Sequence, residues 1–405
     1  MLVVSNQAQG DLVKEQLEAV GARVEAILLE PTGRNTSAAA ALASAWLVEE
    51  GHDDLLLLMP SDHVIGDRDA LIAAIGKGSP EAARGAIVTF GIWPTEPNTQ
   101  YGYIEVEDGA PADEVLPIAR FVEKPNAERA AEYLASGRFY WNSGIFLVKA
   151  STLLEQMRQF LPASLEAISG AVGLAKRTGQ FVRPEPQAFS AAENISIDNG
   201  IMERTSNGMV VPVSMSWSDV GSWDAVWKLG PRDENENVVR GDIIAVDTRN
   251  SLLRSDGGPL IAAIGLENMA VIASADAVFV SPLSRAAEVK DIVNSLDPES
   301  GGRRPEKKGM HPWGTLETLS ETAFFDVQRA LVHEGRTLRS VAASSMQLIV
   351  IRGSGKLDAG GSQSSLQAQT TTTIHPGTSF EISNSGDAPL ELLLVQIGSG
   401  NGKIR

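Results

Sequence analysis

Short apolar runs alternate with helix-patterned stretches over the first part of the chain. Met1–Ser5, Val24–Leu29, Leu55–Met59 and Ala86–Phe90 read as strands, while Asp11–Val20 has the spacing of an amphipathic helix. Ser37–Glu50 is Ala-rich and helical, with Asn35 or Thr36 placed to cap it. Leu55–Met59 is continuously apolar and ends at Pro60, the pattern of a strand buried on both faces. This strand–helix rhythm predicts an α/β fold with a mostly parallel, doubly wound sheet. From about Asn237 the rhythm changes. Val238–Ser281 is a string of short strands broken by Asp247, Asn250, Asp256-Gly257-Gly258 and Asn268, and a helix follows over Ser284–Leu296. Asp297–Gly309 reads as a polar linker, and His311–Arg405 is again all β, fitting a small barrel.

Length agrees with several domains, since 405 residues exceed what one hydrophobic core organises. The net charge of −17 argues against a nucleic-acid partner, because phosphate backbones are held by Lys and Arg. An anionic small substrate stays open, needing only local cations or a metal. With no cysteine there is neither a disulfide nor a thiolate metal site. The opening apolar run, Leu2–Val4, is too short for a signal or a membrane span, so a cytoplasmic location is the default.

Several short motifs carry candidate chemistry. Asp62, in Pro60-Ser61-Asp62-His63, follows an apolar strand, where ligands of open α/β sheets bind and where a carboxylate can hold Mg²⁺. An Asp there also serves as a helix cap. Asp219, in Trp217-Ser218-Asp219-Val220-Gly221-Ser222-Trp223, is a second such carboxylate, and the two together suggest one metal held between them. His63 reads as packed or solvated, or as a partner of Asp62. In Phe121-Val122-Glu123-Lys124-Pro125, Lys124 offers a compact charge for a phosphate and Glu123 an acceptor for sugar hydroxyls, unless they form a surface ion pair. Tyr101-Gly102-Tyr103-Ile104 and Trp141-Asn142-Ser143-Gly144 read as loops approaching a ligand, or as plain turns. Glu30-Pro31-Thr32-Gly33-Arg34-Asn35-Thr36 lies between strand and helix, and Glu30 could accept from the donor edge of guanine.

Taken in order, these motifs, with Ser196-Ile197-Asp198, Met202-Glu203, Asn237–Asp242 and His311–Gly314, resemble the mannose-1-phosphate guanylyltransferases. The resemblance is to the bacterial type fused to a cupin-like mannose-6-phosphate isomerase domain. It implies a Rossmann-like nucleotidyltransferase sheet over 1–234, a β-rich segment over 235–297, a linker over 298–310 and a cupin-like barrel over 311–405. It also implies GTP and mannose 1-phosphate as substrates, and GDP-mannose and pyrophosphate as products. Asp62 and Asp219 would hold Mg²⁺, and Lys124 would meet the sugar phosphate. Gly102, Glu123 and Asn142 would line the mannose site, with Glu30, Asn35 and Thr36 near the guanine. Asp198 matches a family position in the same set. No membrane or nucleic acid is implied, and nothing excludes a homo-oligomer.

Two departures stand out. The family's opening G-x-G-T-R loop has no counterpart here, so either the chain starts after that unit or the unit is lost, and activity of the chain as written is in question. The barrel stretch Arg339–Gln347 lacks the family's His and Glu ligands, and Phe380 stands where another His is expected, so isomerase chemistry and a transition metal are not expected there. Beside the guanylyltransferase reading stand a transferase for another sugar phosphate and a non-catalytic sugar-phosphate-binding homologue.

Overall fold

A computed structural model describes residues 1–107, 109, 114–275, 277–295, 308–311, 313–322 and 324–397. The chain forms two compact units, Met1–Ala225 and Val226–Arg405.

In the first unit, strands and helices alternate as β1 (Leu2–Asn6), α1 (Gly10–Ala19), β2 (Ala26–Glu30), α2 (Asn35–Glu49), β3 (Leu55–Leu58), β4 (Val64–Ile65), α3 (Arg68–Ala83) and β5 (Ile87–Ile92). Then follow β6 (Tyr103–Glu105), β7 (Leu116–Pro117), β8 (Arg120–Val122), α4 (Ala127–Ser136), β9 (Phe139–Lys149), α5 (Ala150–Phe160) and α6 (Pro162–Gly173). The unit closes with β10 (Lys176–Thr178), β11 (Phe181–Arg183), α7 (Pro186–Ser190), β12 (Gly208–Pro212) and β13 (Trp217–Ser218). One sheet runs β1-β2-β11-β10; another runs β7-β12-β5-β9-β6-β8, with β3 also on β9. The expected doubly wound α/β architecture is present, but the sheet is mixed. The pairs β1–β2, β2–β11 and β5–β12 are parallel, whereas β9 is antiparallel to β3, β5 and β6. Hydrophobic rhythm reports strands but not their direction, which the path of the connections decides.

Two apolar strands that look alike in sequence differ in burial. Ala26–Leu29 of β2 are at most 1% exposed, because β2 has a neighbour on each edge. Strand β3 is not fully buried, contrary to its pattern: Leu55 is 36% exposed. Leu56 and Leu58 pack on the cluster containing α2, α5 and α6, and Leu57 packs on the cluster of α3, so both faces are covered. Only one edge of β3 is paired among the described residues, and that open edge accounts for the exposure. The start of α2 also differs from expectation. The helix begins at Asn35, whose φ is 65° and whose Oδ1 accepts from the Thr36 N–H at 2.9 Å; no side chain caps it at Arg34.

In the second unit, Val238–Arg240, Leu252–Ser255 and Met269–Ala273 stack in parallel, as do Ile243–Val246 and Ile261–Ile264. Asp247, Asn250 and Asn268 turn the corners with φ of 50°, 49° and 57°, a backbone that short polar residues tolerate best after glycine. A 3₁₀ turn Leu283–Glu288 and a short helix Val289–Ser295 replace the single helix expected over Ser284–Leu296. Most of the expected linker, residues 296–307, lies outside the described residues, and its end is a strand, Lys308–His311, paired with Gly314–Glu321. The barrel is two antiparallel sheets. One orders 308–311, 314–321, 325–332, 390–397, 345–352 and 371–374; the other orders 337–341, 379–384, 354–359 and 362–367. Leu338, Met346, Leu348, Phe380, Ile382, Leu392 and Leu394 fill its core at 0–1% exposure. Ser340 lies directly across the ladder from Phe380.

Candidate active site

Two distant segments meet in a short antiparallel ladder. β4 pairs with β13, Trp217 opposite Ile65 and Ser218 opposite Val64. The loop holding Asp62 and His63 therefore enters this ladder beside the loop in which Asp219 leaves it. The Trp217 indole N–H donates to Nδ1 of His63 at 3.2 Å, with the rings edge to face at 5.4 Å. Burial holds His63 below its ordinary value, against the opposing pull of Asp62 and Asp219, so both carboxylates act on one imidazole. The half-buried His63 is thus a packed member of the site. Asp219 Oδ1 accepts from the Tyr101 hydroxyl at 3.1 Å and from the Gly221 N–H at 3.1 Å. The Tyr101 ring is set edge-on between Trp141, at 5.1 Å, and Trp217, at 5.2 Å. Burial, then the Asp219 charge, push its hydroxyl above the ordinary tyrosine range, so it stays a donor. Two carboxylates joined by a ladder are hard oxygen donors, and they fit a divalent cation shared with phosphate oxygens.

A second group lies on the other side of the Tyr101-Gly102 turn. Asn142 and its neighbours sit in the middle of the eleven-residue strand β9, not in a loop as the motif suggests. Gly144, at φ 68°, bends that strand against His63. The Asn142 side chain is buried. Its Oδ1 accepts from the Thr89 hydroxyl at 3.0 Å and its Nδ2 donates to Asp198 at 2.8 Å, which leaves one N–H to spare. Asp198 opens a π-helical turn, Asp198–Met202. Burial first, then the Glu123 charge, push its carboxyl up to about 6, while Asn142 and Lys124 oppose the shift. A Cβ on Gly102 would come within 2.5 Å of Glu123 Oε2 and 3.3 Å of Asn142 Cβ, so only glycine lets these three converge without displacement. Lys124 follows β8 with φ 47°, and its Nζ lies 3.1 Å from Glu123 Oε1. The Glu123 N–H donates to Glu203 at 3.1 Å, pinning the strand end.

The third group is at the end of β2. Glu30 Oε1 is buried without a hydrogen-bond partner among the described residues, and burial raises the Glu30 carboxyl above its ordinary value. Thr36 Oγ1 accepts from the Ile197 N–H at 3.0 Å, tying the start of α2 to the segment that carries Asp198. Asn35 is engaged with the Thr36 N–H. An unpartnered buried carboxylate oxygen costs about 1–3 kcal/mol or more unless something donates to it.

The ladder therefore gathers Asp62 with Asp219, and the Gly102 turn gathers Glu123, Lys124, Asn142 and Asp198. Nothing in the sequence singles out Thr89, Tyr101, Trp217 or Glu203 for a role of its own. Tyr101, Trp217 and Glu203 lie inside the motifs; Thr89 carries no signal, being one small polar residue in the apolar strand β5. Among the described residues no group of three or more His, Cys, Asp or Glu side chains is gathered as a metal cage, which leaves substrate and water to complete any coordination shell.

Residues 1–236 match the nucleotidyl transferase family, 241–296 the mannose-phosphate isomerase/GMP-like β-helix domain, and 302–403 the mannose-6-phosphate isomerase C-terminal domain. The xanthan biosynthesis protein XanB of Xanthomonas campestris is 40% identical, over 99% of this chain and 86% of that protein. A mannose-1-phosphate guanylyltransferase of Klebsiella pneumoniae is 36% identical over the same shares. Among solved structures, the mannose-1-phosphate geranyltransferase of Thermus thermophilus superposes with a TM-score of 0.62 at 32% identity, covering 73% of this chain and 83% of that one.

Proposed function

Since the chain belongs to the nucleotidyl transferase family, in the branch that continues into a β-helix and a mannose-6-phosphate isomerase C-terminal domain, we propose that it joins GTP and mannose 1-phosphate into GDP-mannose and pyrophosphate. The observation that supports this reading is the β4–β13 ladder, which sets the loops carrying Asp62 and Asp219 side by side, with Tyr101 linking Asp219 to the Gly102 turn. In the reaction, an oxygen of the sugar phosphate attacks the α-phosphorus of GTP and the P–O bond to pyrophosphate breaks. Such a displacement needs positioning and charge neutralisation rather than covalent help. A Mg²⁺ ion on Asp62 and Asp219 would offset the charge that builds on the phosphate oxygens.

The chain's own groups divide the remaining work. Lys124 meets the phosphate of the sugar, Glu123 accepts from sugar hydroxyls, and Gly102 lets the ring approach the backbone. Asn142, held by Thr89 and Asp198, presents its spare N–H to a hydroxyl. Glu30 takes the donor edge of guanine, bordered by Asn35 and Thr36. In this reading residues 1–234 do the chemistry, 235–297 and the linker 298–310 follow, and the barrel 311–405 carries no isomerase step. Its interior at Phe380 is apolar. The reading places the enzyme in the cytoplasm, and no helix among the described residues is long and apolar enough to cross a membrane.

The test is pyrophosphate release from GTP and mannose 1-phosphate, run beside other nucleotides and sugar phosphates. Asp62→Asn and Asp219→Asn should each lower the rate by about 100- to 1,000-fold, the scale of losing a pre-placed charge-stabilising group. Near-normal turnover in either variant would remove the metal assignment, and preference for another sugar phosphate would replace mannose.

A further inference from the structure

We infer that Tyr101 is a positioning residue for the metal carboxylate: its hydroxyl, together with the Gly221 N–H, occupies Oδ1 of Asp219 and leaves Oδ2 to face the cation. The inference rests on the proposed pairing of Asp62 and Asp219. Its geometry is independent of that reading. Both donors lie 3.1 Å from the same oxygen, and among the described residues no hydrogen bond to Oδ2 accompanies them. A carboxylate with one oxygen engaged by two donors keeps its other oxygen available as a single ligand atom. That suits Mg²⁺, which takes near-octahedral geometry and keeps several waters. The tyrosine is itself held on two sides by Trp141 and Trp217, so its hydroxyl is aimed by packing.

Tyr101 also connects two halves of the site. The next residue, Gly102, accepts the Asn142 N–H at 2.8 Å through its carbonyl and faces Glu123 with its Cα. A sugar phosphate seated against Gly102, Glu123 and Asn142 fixes the turn from which Tyr101 reaches Asp219. Occupancy of the sugar pocket then favours the metal-ready carboxylate, and by linkage the metal favours the sugar phosphate to the same extent.

The experiment measures Mn²⁺ binding to the full chain by electron paramagnetic resonance without GTP, so that no turnover occurs, with and without mannose 1-phosphate. Tyr101→Phe keeps the ring and deletes the hydroxyl. It should weaken Mn²⁺ about tenfold, the usual scale for groups that orient a ligand. It should also abolish the gain in Mn²⁺ affinity that mannose 1-phosphate confers on the parent. Its melting temperature and its metal-free affinity for mannose 1-phosphate should stay close to those of the parent. Unchanged Mn²⁺ binding would overturn the inference, and so would a joint loss of metal binding, sugar binding and melting temperature, which marks a packing role. Asp219→Asn separates the two readings. If it binds Mn²⁺ as the parent does, the metal site itself is misplaced; if it binds weakly while Tyr101→Phe binds normally, only the role of Tyr101 falls.

Discussion

Asn142 and Asn384 are both buried asparagines, one in each unit, and they are satisfied in different ways. Asn384 bonds only to backbone. Its Nδ2 donates to the Val332 and Ala388 carbonyls at 2.9 Å each, and its Oδ1 accepts from the Gly386 N–H at 2.9 Å. It closes a turn of the barrel, whose surrounding interior is Leu338, Leu348, Phe380 and Ile382. Asn142 bonds to side chains, Thr89 on one side and the ionisable Asp198 on the other. Burying Asp198 and leaving Glu30 Oε1 without a partner both cost stability that apolar residues would not. Unpartnered buried groups of this kind call for an explanation, and a bound ligand that supplies the missing contacts is one. Among the described residues the barrel cluster around Phe380 is apolar, as packing alone selects, and Gln328 Oε1 and Gln396 Nε2, buried in the barrel without a partner, belong to neutral amides.

The contrast is sharpened most by substitutions that separate stability from chemistry. Phe380→Ala should cost the barrel about 3–5 kcal/mol, because a fully buried aromatic leaves a cavity that its close-packed neighbours fill only in part. Hydrogen exchange over Thr337–Val341 and Ser379–Asn384 should accelerate, while guanylyltransferase turnover at 25 °C stays within about twofold of the parent, as expected if the barrel opens as its own cooperative unit. Loss of turnover in step with barrel stability would show that the barrel takes part in the chemistry.

Asp198→Asn tests the other interior. The folded carboxyl stands at about 6 against an ordinary 3.8, so the native state binds the extra proton between those values. Stability is therefore full below about pH 4 and falls as pH rises to about 6, by on the order of 2–3 kcal/mol. The groups that face it set the direction: burial and Glu123 raise the value, while Asn142 and Lys124 lower it. An asparagine can still accept from Asn142 but carries no charge, so denaturation midpoints followed from pH 4 to 7 should lose this slope. A slope that persists unchanged belongs to another group, and Asp198 would then be an ordinary buried acid.

The β-strand and helix alternation of the first unit, the turn residues of the β-helix and the all-β tail were legible because each follows from periodicity or from Gly, Asn and Asp at corners. Direction and edge pairing were not. Leu55–Met59 has the composition of a central strand, yet the structure pairs only one of its edges among the described residues. Likewise Asn142 reads as a loop residue beside Gly144, because a glycine at φ 68° inside a long strand looks the same in sequence as a turn. The motif amides and carboxylates were visible as single candidates. What the sequence cannot display is which atom of each is already used: Asp219 Oδ1 by Tyr101, Asn142 Oδ1 by Thr89, Thr36 Oγ1 by Ile197. Those pairings join residues far apart in the chain, and only tertiary packing makes them.

The smallest effect expected is at Lys124, where charge and backbone must be told apart. Its side chain is 59% exposed and ion-paired at 3.1 Å with Glu123, so solvent and its neighbour already screen it. A charge-assisted hydrogen bond to phosphate is worth roughly 1.5–3 kcal/mol when buried, and the low end fits an exposed lysine. Lys124→Met should thus raise KM for mannose 1-phosphate about tenfold and leave KM for GTP within about twofold. The backbone at φ 47° complicates an alanine variant, because that conformation is strained for any residue with a Cβ. Lys124→Gly relieves the strain while removing the charge. If Gly and Met weaken the sugar phosphate equally, the ammonium is responsible. If Gly restores affinity, the left-handed turn rather than the charge shapes the pocket, and Lys124 belongs with Asn384 as a residue kept for its local geometry. Equal effects on both substrates would move the lysine from the sugar phosphate to the phosphates in general.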